Sequence, residues 1–249
     1  MMKKLILRCD DFGSSSGANE AILELAREGF TMNVSVMVCA PEARLGLEEL
    51  ATFGPRVCLG IHATITSEWS GVKWGPVRES TRGTDLVDAD GYFHPSLHQA
   101  CQVAPSVIKD EVEAQIEEAL SWDIPFSYLD EHMGFNWLHD LQSHHAELAA
   151  RFNLAYYPDL PNLPRTEAES SDVLLGWNRQ LAAASPGAYL LVTHPALDND
   201  STQRFWNETH PPRAISRARS REFAALSSAG WQEKLREGNT TLITYRELL

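Results

Sequence analysis

The chain has 249 residues, 43% of them hydrophobic, and its 21 Lys and Arg against 34 Asp and Glu give a formal net charge of −13. That length suits one globular domain or a single barrel-sized fold, and surface scaling gives such a chain about 11,000 Å² exposed when folded against about 40,000 Å² unfolded, so size alone demands no disulfide or structural metal. The acidic balance repels phosphate backbones and anionic lipid, which argues against nucleic acid and membrane surfaces as partners.

The opening Met1-Met2-Lys3-Lys4-Leu5-Ile6-Leu7 imitates a signal peptide, but Arg8, Asp10 and Asp11 interrupt the apolar run, so a cytoplasmic protein is expected. No stretch approaches the roughly 18 to 20 apolar residues of a membrane span. The apolar period then alternates between strand-like and helix-like. A strand over Leu5–Cys9 is followed by a helix over Ala18–Glu28, with Gly29 just past its end. Next come a strand over Asn33–Val38, a helix over Glu42–Phe53 with Pro41 at its start, and a strand over Val57–His62. Residues 66–104 carry Trp69, Trp74, Gly71, Gly75, Gly83 and Gly91 and predict a long loop. A helix over Pro105–Trp122, a strand over Ser127–Asp130, a helix over His139–Phe152 and a strand over Leu154–Tyr157 follow. The last third reads as a helix from about Ser171 to Ala184, a strand over Ala188–Thr193, a loop over 195–214, a helix over Ile215–Ser228 and a strand over Thr240–Thr244. Seven strands alternating with helices imply an α/β fold on a parallel sheet, open or closed. No repeat or linker divides the chain, so residues 1–249 are expected to form one domain.

Cys9, Cys39, Cys58 and Cys101 are far apart with no C-x-x-C pair, and read as free thiols. The informative feature is positional. Asp10 and Asp11 follow the first predicted strand, His62 ends the third, and His132 and His194 follow the fourth and sixth. In parallel α/β folds the carboxyl ends of strands gather on one face, where ligands and reactive groups are found. Two imidazoles and one carboxylate make a three-ligand site for a divalent ion with open positions for water and substrate. A second carboxylate beside it can serve as general base, and a further His across the pocket can assist a leaving amine. This is the equipment of a metal-assisted hydrolase of an amide or ester. Singly, an Asp pair is as often a turn or cap, and a His in an apolar strand is more often a core residue; their coincidence at one edge carries the reading.

The segments holding these residues resemble the YdjC-like carbohydrate deacetylases, which include the chitooligosaccharide deacetylases. Leu5-Ile6-Leu7-Arg8-Cys9-Asp10-Asp11-Phe12-Gly13 is similar to the family's opening motif, and Gly60-Ile61-His62-Ala63-Thr64 to its Gly-x-His-x-Thr segment. Tyr128-Leu129-Asp130-Glu131-His132 resembles its Asp-x-His strand end, Thr193-His194-Pro195-Ala196 its His-Pro-Gly segment, and Arg221-Glu222-Phe223 with Thr241–Leu248 its ending. The resemblance spans essentially the whole chain. It implies a distorted (β/α) barrel of about seven strands, like that of polysaccharide deacetylases, and metal-dependent removal of N-acetyl groups from a mono- or oligosaccharide. It further implies Asp11, His62 and His132 as metal ligands, Asp10 as base, and His194 as the group acting on the leaving amine or positioning substrate. Asp198 stands near the family's acidic residue after His-Pro. Departures are Met133-Gly134-Phe135 where a histidine run is frequent, Arg8-Cys9 where small or amide residues are common, and Ala196 in place of Gly. They bear on the substrate rather than the reaction. The family habit implies a homodimer, although no amphipathic seam in the sequence shows one.

The ligand set accommodates Zn, Co, Ni, Mn or Fe and, with waters completing an octahedron, Mg, with zinc slightly favoured over magnesium. The alternatives to deacetylation are metal-dependent hydrolysis of another amide or a phosphoester, and a non-catalytic carbohydrate-binding relative. His94, His98, His139, His144, His145 and His210 read as solvated or capping residues. Trp69, Trp74, Trp137 and Trp206 read as loop packing, with sugar stacking as the alternative. Arg217, Arg219 and Arg221 read as a solvated helix face, with Arg221 as the one that could orient pocket carboxylates.

Overall fold

The computed structural model describes residues 2–166 and 172–248, so Ser171, where one helix was expected to begin, lies outside the described residues. The strands are β1 (Lys3–Phe12), β2 (Met32–Val36), β3 (Val57–Ala63), β4 (Phe126–Glu131), β5 (Ala188–Thr193) and β6 (Thr240–Ile243). The helices are α1 (Ser16–Arg27), α2 (Leu47–Ala51), α3 (Leu97–Ala100), α4 (Pro105–Leu120), α5 (Leu141–Arg151), α6 (Val173–Ala183), α7 (Ala214–Leu226) and α8 (Ala229–Glu237). All strand pairs are parallel, in the order β4-β3-β2-β1-β5, with β6 pairing β1. The strand–helix alternation read from the sequence thus becomes one parallel sheet curled into a half-barrel.

β1 is the central strand and explains the curl. Its residues Lys3–Ile6 pair with β6, whereas Arg8, Cys9 and Phe12 pair with β2, so the chain switches partner partway along. Buried Asn33 fills that switch: its amide nitrogen donates to Leu7 O (3.1 Å) and Ile243 O (3.2 Å), and its oxygen accepts from Tyr245 N (2.9 Å). A buried amide is tolerated there because every hydrogen-bonding group is matched.

The two sheet edges, β4 and β5, do not pair with each other. Residues 155–163 span the gap through isolated bridges, Tyr128↔Ala155 on one side and Asn162↔Leu190 on the other. The strand expected over Leu154–Tyr157 therefore reduces to one bridge in this seam. Pro158 and Pro161 lack the amide hydrogens that a continuing ladder needs. The helix expected over Glu42–Phe53 shortens to α2, because Gly46 takes a left-handed φ of +80° just before it. The terminal helix α8 was not anticipated.

The main core lies between the sheet and the helices and includes Leu7, Ile22, Leu25, Val34, Leu59 and Ile116. A smaller cluster of Ile6, Cys58, Tyr128, Leu190, Ile243 and Tyr245 covers the inner face of the curl. Gly60 makes that cluster fit, since a Cβ there would lie 2.2 Å from the Tyr128 ring. All four cysteines are free, with Cys9 and Cys58 buried. Exposed surface totals 11369 Å², close to the sequence-based value. Among the described residues no helix is long and apolar enough to cross a membrane.

Residues 66–104 and 195–214 hold short helical turns and, in the first, an isolated antiparallel bridge between Val87 and Phe93, and are tied down from outside. Buried Glu111 on α4 accepts from the amides of Val77 (2.8 Å) and Arg78 (3.2 Å). Gln115, one turn on, bonds both backbone groups of Thr64, just past β3. The two loops also clasp each other. Ser70 N donates to Trp206 O (2.7 Å), Arg204 Nε to Gly71 O (2.8 Å) and Asn207 Nδ2 to Glu68 O (3.1 Å), and Trp69 stacks on Phe205 at 5.6 Å.

Candidate active site

The carboxyl ends of β1, β3, β4 and β5 open into a cavity of about 450 Å³ whose lining includes Arg8, Asp10, His62, Asp130, His132 and His194. At the end of β1 the register slips between Cys9 and Phe12, a bulge, and Asp11 takes a φ of +66°. Aspartate tolerates this left-handed conformation better than most residues. The bulge breaks the alternation of a regular strand and lets consecutive carboxylates turn to the same site.

Asp11 Oδ1 lies 3.1 Å from His132 Nδ1 and 3.6 Å from His62 Nε2. The donor atoms of these three buried residues all fall within 4.8 Å of one another. Each is fixed from behind. His62 Nδ1 is 3.0 Å from Asp130 Oδ2, so its proton is held there and Nε2 is left facing Asp11. His132 is turned the other way round: Nε2 sits 3.2 Å from both oxygens of Glu68, leaving Nδ1 for the centre. Arg219 NH2 donates to Asp11 Oδ2 at 2.6 Å. Asp11 Oδ1 is buried and, among the described residues, accepts no hydrogen bond of normal geometry, which leaves it able to coordinate an ion.

A second triplet, Asp10, His62 and Asp130, also converges. There a cation is already in place. Arg8 grips Asp10 with two bonds, Nε to Oδ1 (2.6 Å) and NH2 to Oδ2 (2.8 Å), and its NH1 lies 3.0 Å from Asp130 Oδ2. The two-pronged geometry fixes the Asp10 carboxylate about 3.9 Å (Oδ2) from His62 Nε2, beside the first triplet.

The electrostatics fit a divalent ion at Asp11, His62 and His132. Around them, the carboxylates of Asp10, Asp11, Asp130 and Glu68 face the guanidinium groups of Arg8 and Arg219, leaving two formal negative charges. Without a metal the imidazoles must carry the balance. Burial disfavours charge on His62, but Asp130 and Asp10 outweigh it and push its pKa up to about 9. Burial likewise opposes charge on His132, and Glu68 and Asp11 outweigh it. Asp11 is held well below the usual carboxylate range because Arg219 and His132 outweigh its burial. A divalent ion bound to neutral imidazoles would supply the same two charges.

The remaining residues separate cleanly. His194 lines the cavity, anchored through its backbone N to Glu222 Oε2 (2.5 Å). Asp198 is exposed, bonds Gln203 and does not line the cavity. Arg219, not Arg221, reaches the site: on α7, Ser216 and Arg219 are buried while Arg217 and Arg221 are exposed, a spacing of three that marks the inner face. Sequence reasoning missed Glu68 altogether, because it sits in a loop with no periodicity to place it. Arg8 was visible only as a departure. His145, read as solvated, is fully buried, and its place among Leu141, Leu148 and Ala149 on one face of α5 was the available signal. Trp69 and Trp74 are packed inside, whereas Trp137 and Trp206 are exposed.

A family model described as YdjC-like protein matches residues 4–237, and the chain belongs to that family. It is 26% identical to a carbohydrate deacetylase of Listeria monocytogenes over 98% of this chain and 100% of that protein. It is also 29% identical to a carbohydrate deacetylase of Thermoanaerobacter pseudethanolicus over 64% of this chain and 59% of that one. Among solved structures, a protein of Enterococcus faecalis V583 provisionally described as a cellobiose-phosphate cleavage protein superposes with a TM-score of 0.77 at 19% identity, covering 100% and 99% of the two chains. The Xyl-CE4 domain of a multidomain xylanase from the hindgut metagenome of Trinervitermes trinervoides matches with a TM-score of 0.50 at 14% identity, covering 100% and 90%. At these identities the structural likeness concerns the fold alone.

Proposed function

With membership of the YdjC-like family as the premise, we propose that this chain is a metal-dependent hydrolase that removes an N-acetyl group from a mono- or oligosaccharide. The observation that carries the reading is the convergence of Asp11 Oδ1, His62 Nε2 and His132 Nδ1 beside a cavity that also presents Asp10 and His194. The full-length similarity to a carbohydrate deacetylase supports the substrate class.

In this reading Asp11, His62 and His132 hold a divalent ion, and two nitrogen donors out of three suit zinc better than magnesium. When bound, such an ion polarises an amide carbonyl and lowers the pKa of water. Asp10, with its plane set by Arg8, takes the proton from the attacking water. His194, which follows β5 and lines the same cavity, gives a proton to the departing amine. Asp130 and Glu68 keep the two imidazoles in the tautomers that face the centre. Arg219 occupies one oxygen of Asp11 and leaves the other free to coordinate.

The test is acetate release from N-acetylglucosamine and N-acetylated oligosaccharides by metal-stripped protein reloaded with Zn, Co, Mn or Mg. Metal-restored release is expected. Stoichiometric metal binding with no release from any of these substrates would overturn the deacetylase reading.

A further inference from the structure

A second buried network borders the same cavity and has no part in the reaction described above. Neighbouring residues of a strand project to opposite sides: Asp130 turns to His62 and Arg8, whereas Glu131 turns to α5 and the seam. Glu131 Oε1 accepts from His145 Nδ1 (2.8 Å) and from the Tyr156 hydroxyl (2.6 Å). His145 is completely buried, with Phe135 edge-on at 5.4 Å, and its Nε2 has no hydrogen-bond partner among the described residues. Such a dry, single-acceptor arrangement fixes the Glu131 carboxylate. Tyr156 is half-buried and lines the cavity beside Asn136 and Tyr157.

The chemistry follows from donor and acceptor counts. An ionised carboxylate only accepts, so the Tyr156 proton is committed to Glu131; its oxygen offers only lone pairs, one toward the Asn136 side chain and the other to the cavity. Burial and the Glu131 charge raise the Tyr156 pKa, which keeps it a phenol. A fixed lone pair on a cavity wall recognises a donor, a hydroxyl or an N–H, and not a carbonyl or an ether; because every acetamide carries the N–H, the ring hydroxyls are the donors that set sugars apart. We propose that Tyr156, oriented by Glu131 and His145, is a specificity-determining residue that accepts a hydrogen bond from a ring hydroxyl and so selects sugars over other acetamides. The inference rests on the deacetylase reading and adds the group that reads the ring.

The experiment compares wild type with Tyr156→Phe, loaded with the same metal. Two substrates are used: N-acetylglucosamine, and p-nitroacetanilide, an acetamide without hydroxyls. The variant is expected to raise KM for N-acetylglucosamine about 3- to 10-fold with metal content unchanged, as the loss of one neutral hydrogen bond predicts, and to lower the thermal midpoint because buried Glu131 loses a donor. The ratio of kcat/KM on the sugar to that on the anilide should fall by the same factor. An unchanged ratio in an active, metal-loaded variant would overturn the proposal. If the wild type released no acetate at all, the deacetylase reading would fail separately. Calorimetric binding of N-acetylglucosamine to both proteins would then decide Tyr156, with weaker binding to the variant supporting it and equal or absent binding overturning it.

Discussion

At the strand ends, Asp11, His62 and His132 each lie against an opposite charge from another part of the chain: Arg219 from α7, Asp130 from β4, and Glu68 from a loop. A few residues away on the inner face, Tyr157 stacks on Tyr245 with planes 8° apart, and Tyr128 leans on Tyr245 at 4.5 Å. The first region is positioned by ion pairs in a buried, low-dielectric setting, where removing one partner strands another charge. The second is positioned mainly by ring packing and is joined to the first at one point, where the Tyr128 hydroxyl lies 2.8 Å from Ser35 Oγ and that oxygen donates to Asp130 Oδ2 at 3.0 Å. Substitutions among the strand-end charges should therefore act on metal binding and turnover, and substitutions that alter only ring packing should act first on stability.

The strongest way to break this contrast is Asp11→Ala. It should leave no metal after gel filtration, by elemental analysis, and reduce acetate release to background. Asp10→Asn comes next: kcat should fall about 100- to 10,000-fold with metal content unchanged, the scale of a lost general base. Full turnover in that variant would remove Asp10 from its role. Glu68→Gln should weaken metal affinity about 10- to 100-fold in a chelator competition, as expected for a carboxylate behind a metal-binding imidazole. Unchanged affinity would show that the loop clasp is not needed to hold His132.

Gly60→Ala tests the tyrosine side directly. Its new Cβ would meet the Tyr128 ring, and overpacking of this kind costs about 1–3 kcal/mol, read from a denaturant midpoint. A pH dependence probes the strand-end charges without a substitution. His62 has a folded pKa raised to about 9 without metal, so its stabilising contribution is complete below its unfolded value of about 6.5 and is lost as pH rises through about 9. Thermal midpoints of metal-free protein should therefore drop across that window. Metal-loaded protein should show the reverse tendency, losing its ion as falling pH protonates the imidazoles.

These two regions were unequally legible in the sequence. Asp10, Asp11, His62, His132 and His194 could be located because strand ends are readable from apolar period and the residues are chemically distinctive. Their supports could not all be found: Arg219 required the three-residue spacing of buried positions on α7, and Glu68 required a loop path fixed by long-range bonds to His94, Trp74 and Asn207 that no local pattern predicts. The inner face was harder still. Tyr156 and Tyr157 read as part of the fifth predicted strand, and nothing in a period of two reveals that Pro158 and Pro161 turn that stretch into a bridge between sheet edges.

That bridging stretch has an evolutionary consequence. Residues 155–163 touch the sheet by single bridges at each end rather than through a full ladder, yet they supply Tyr156, Tyr157, Leu160 and Asn162 to the cavity. Their sequence can thus lengthen or be exchanged without unzipping a strand or touching Asp10, Asp11 or Asp130, the Tyr156–Glu131 bond being the one link to a carboxylate described here. New substrate preferences can arise here by replacing a patch of wall, while the reactive centre is inherited unchanged.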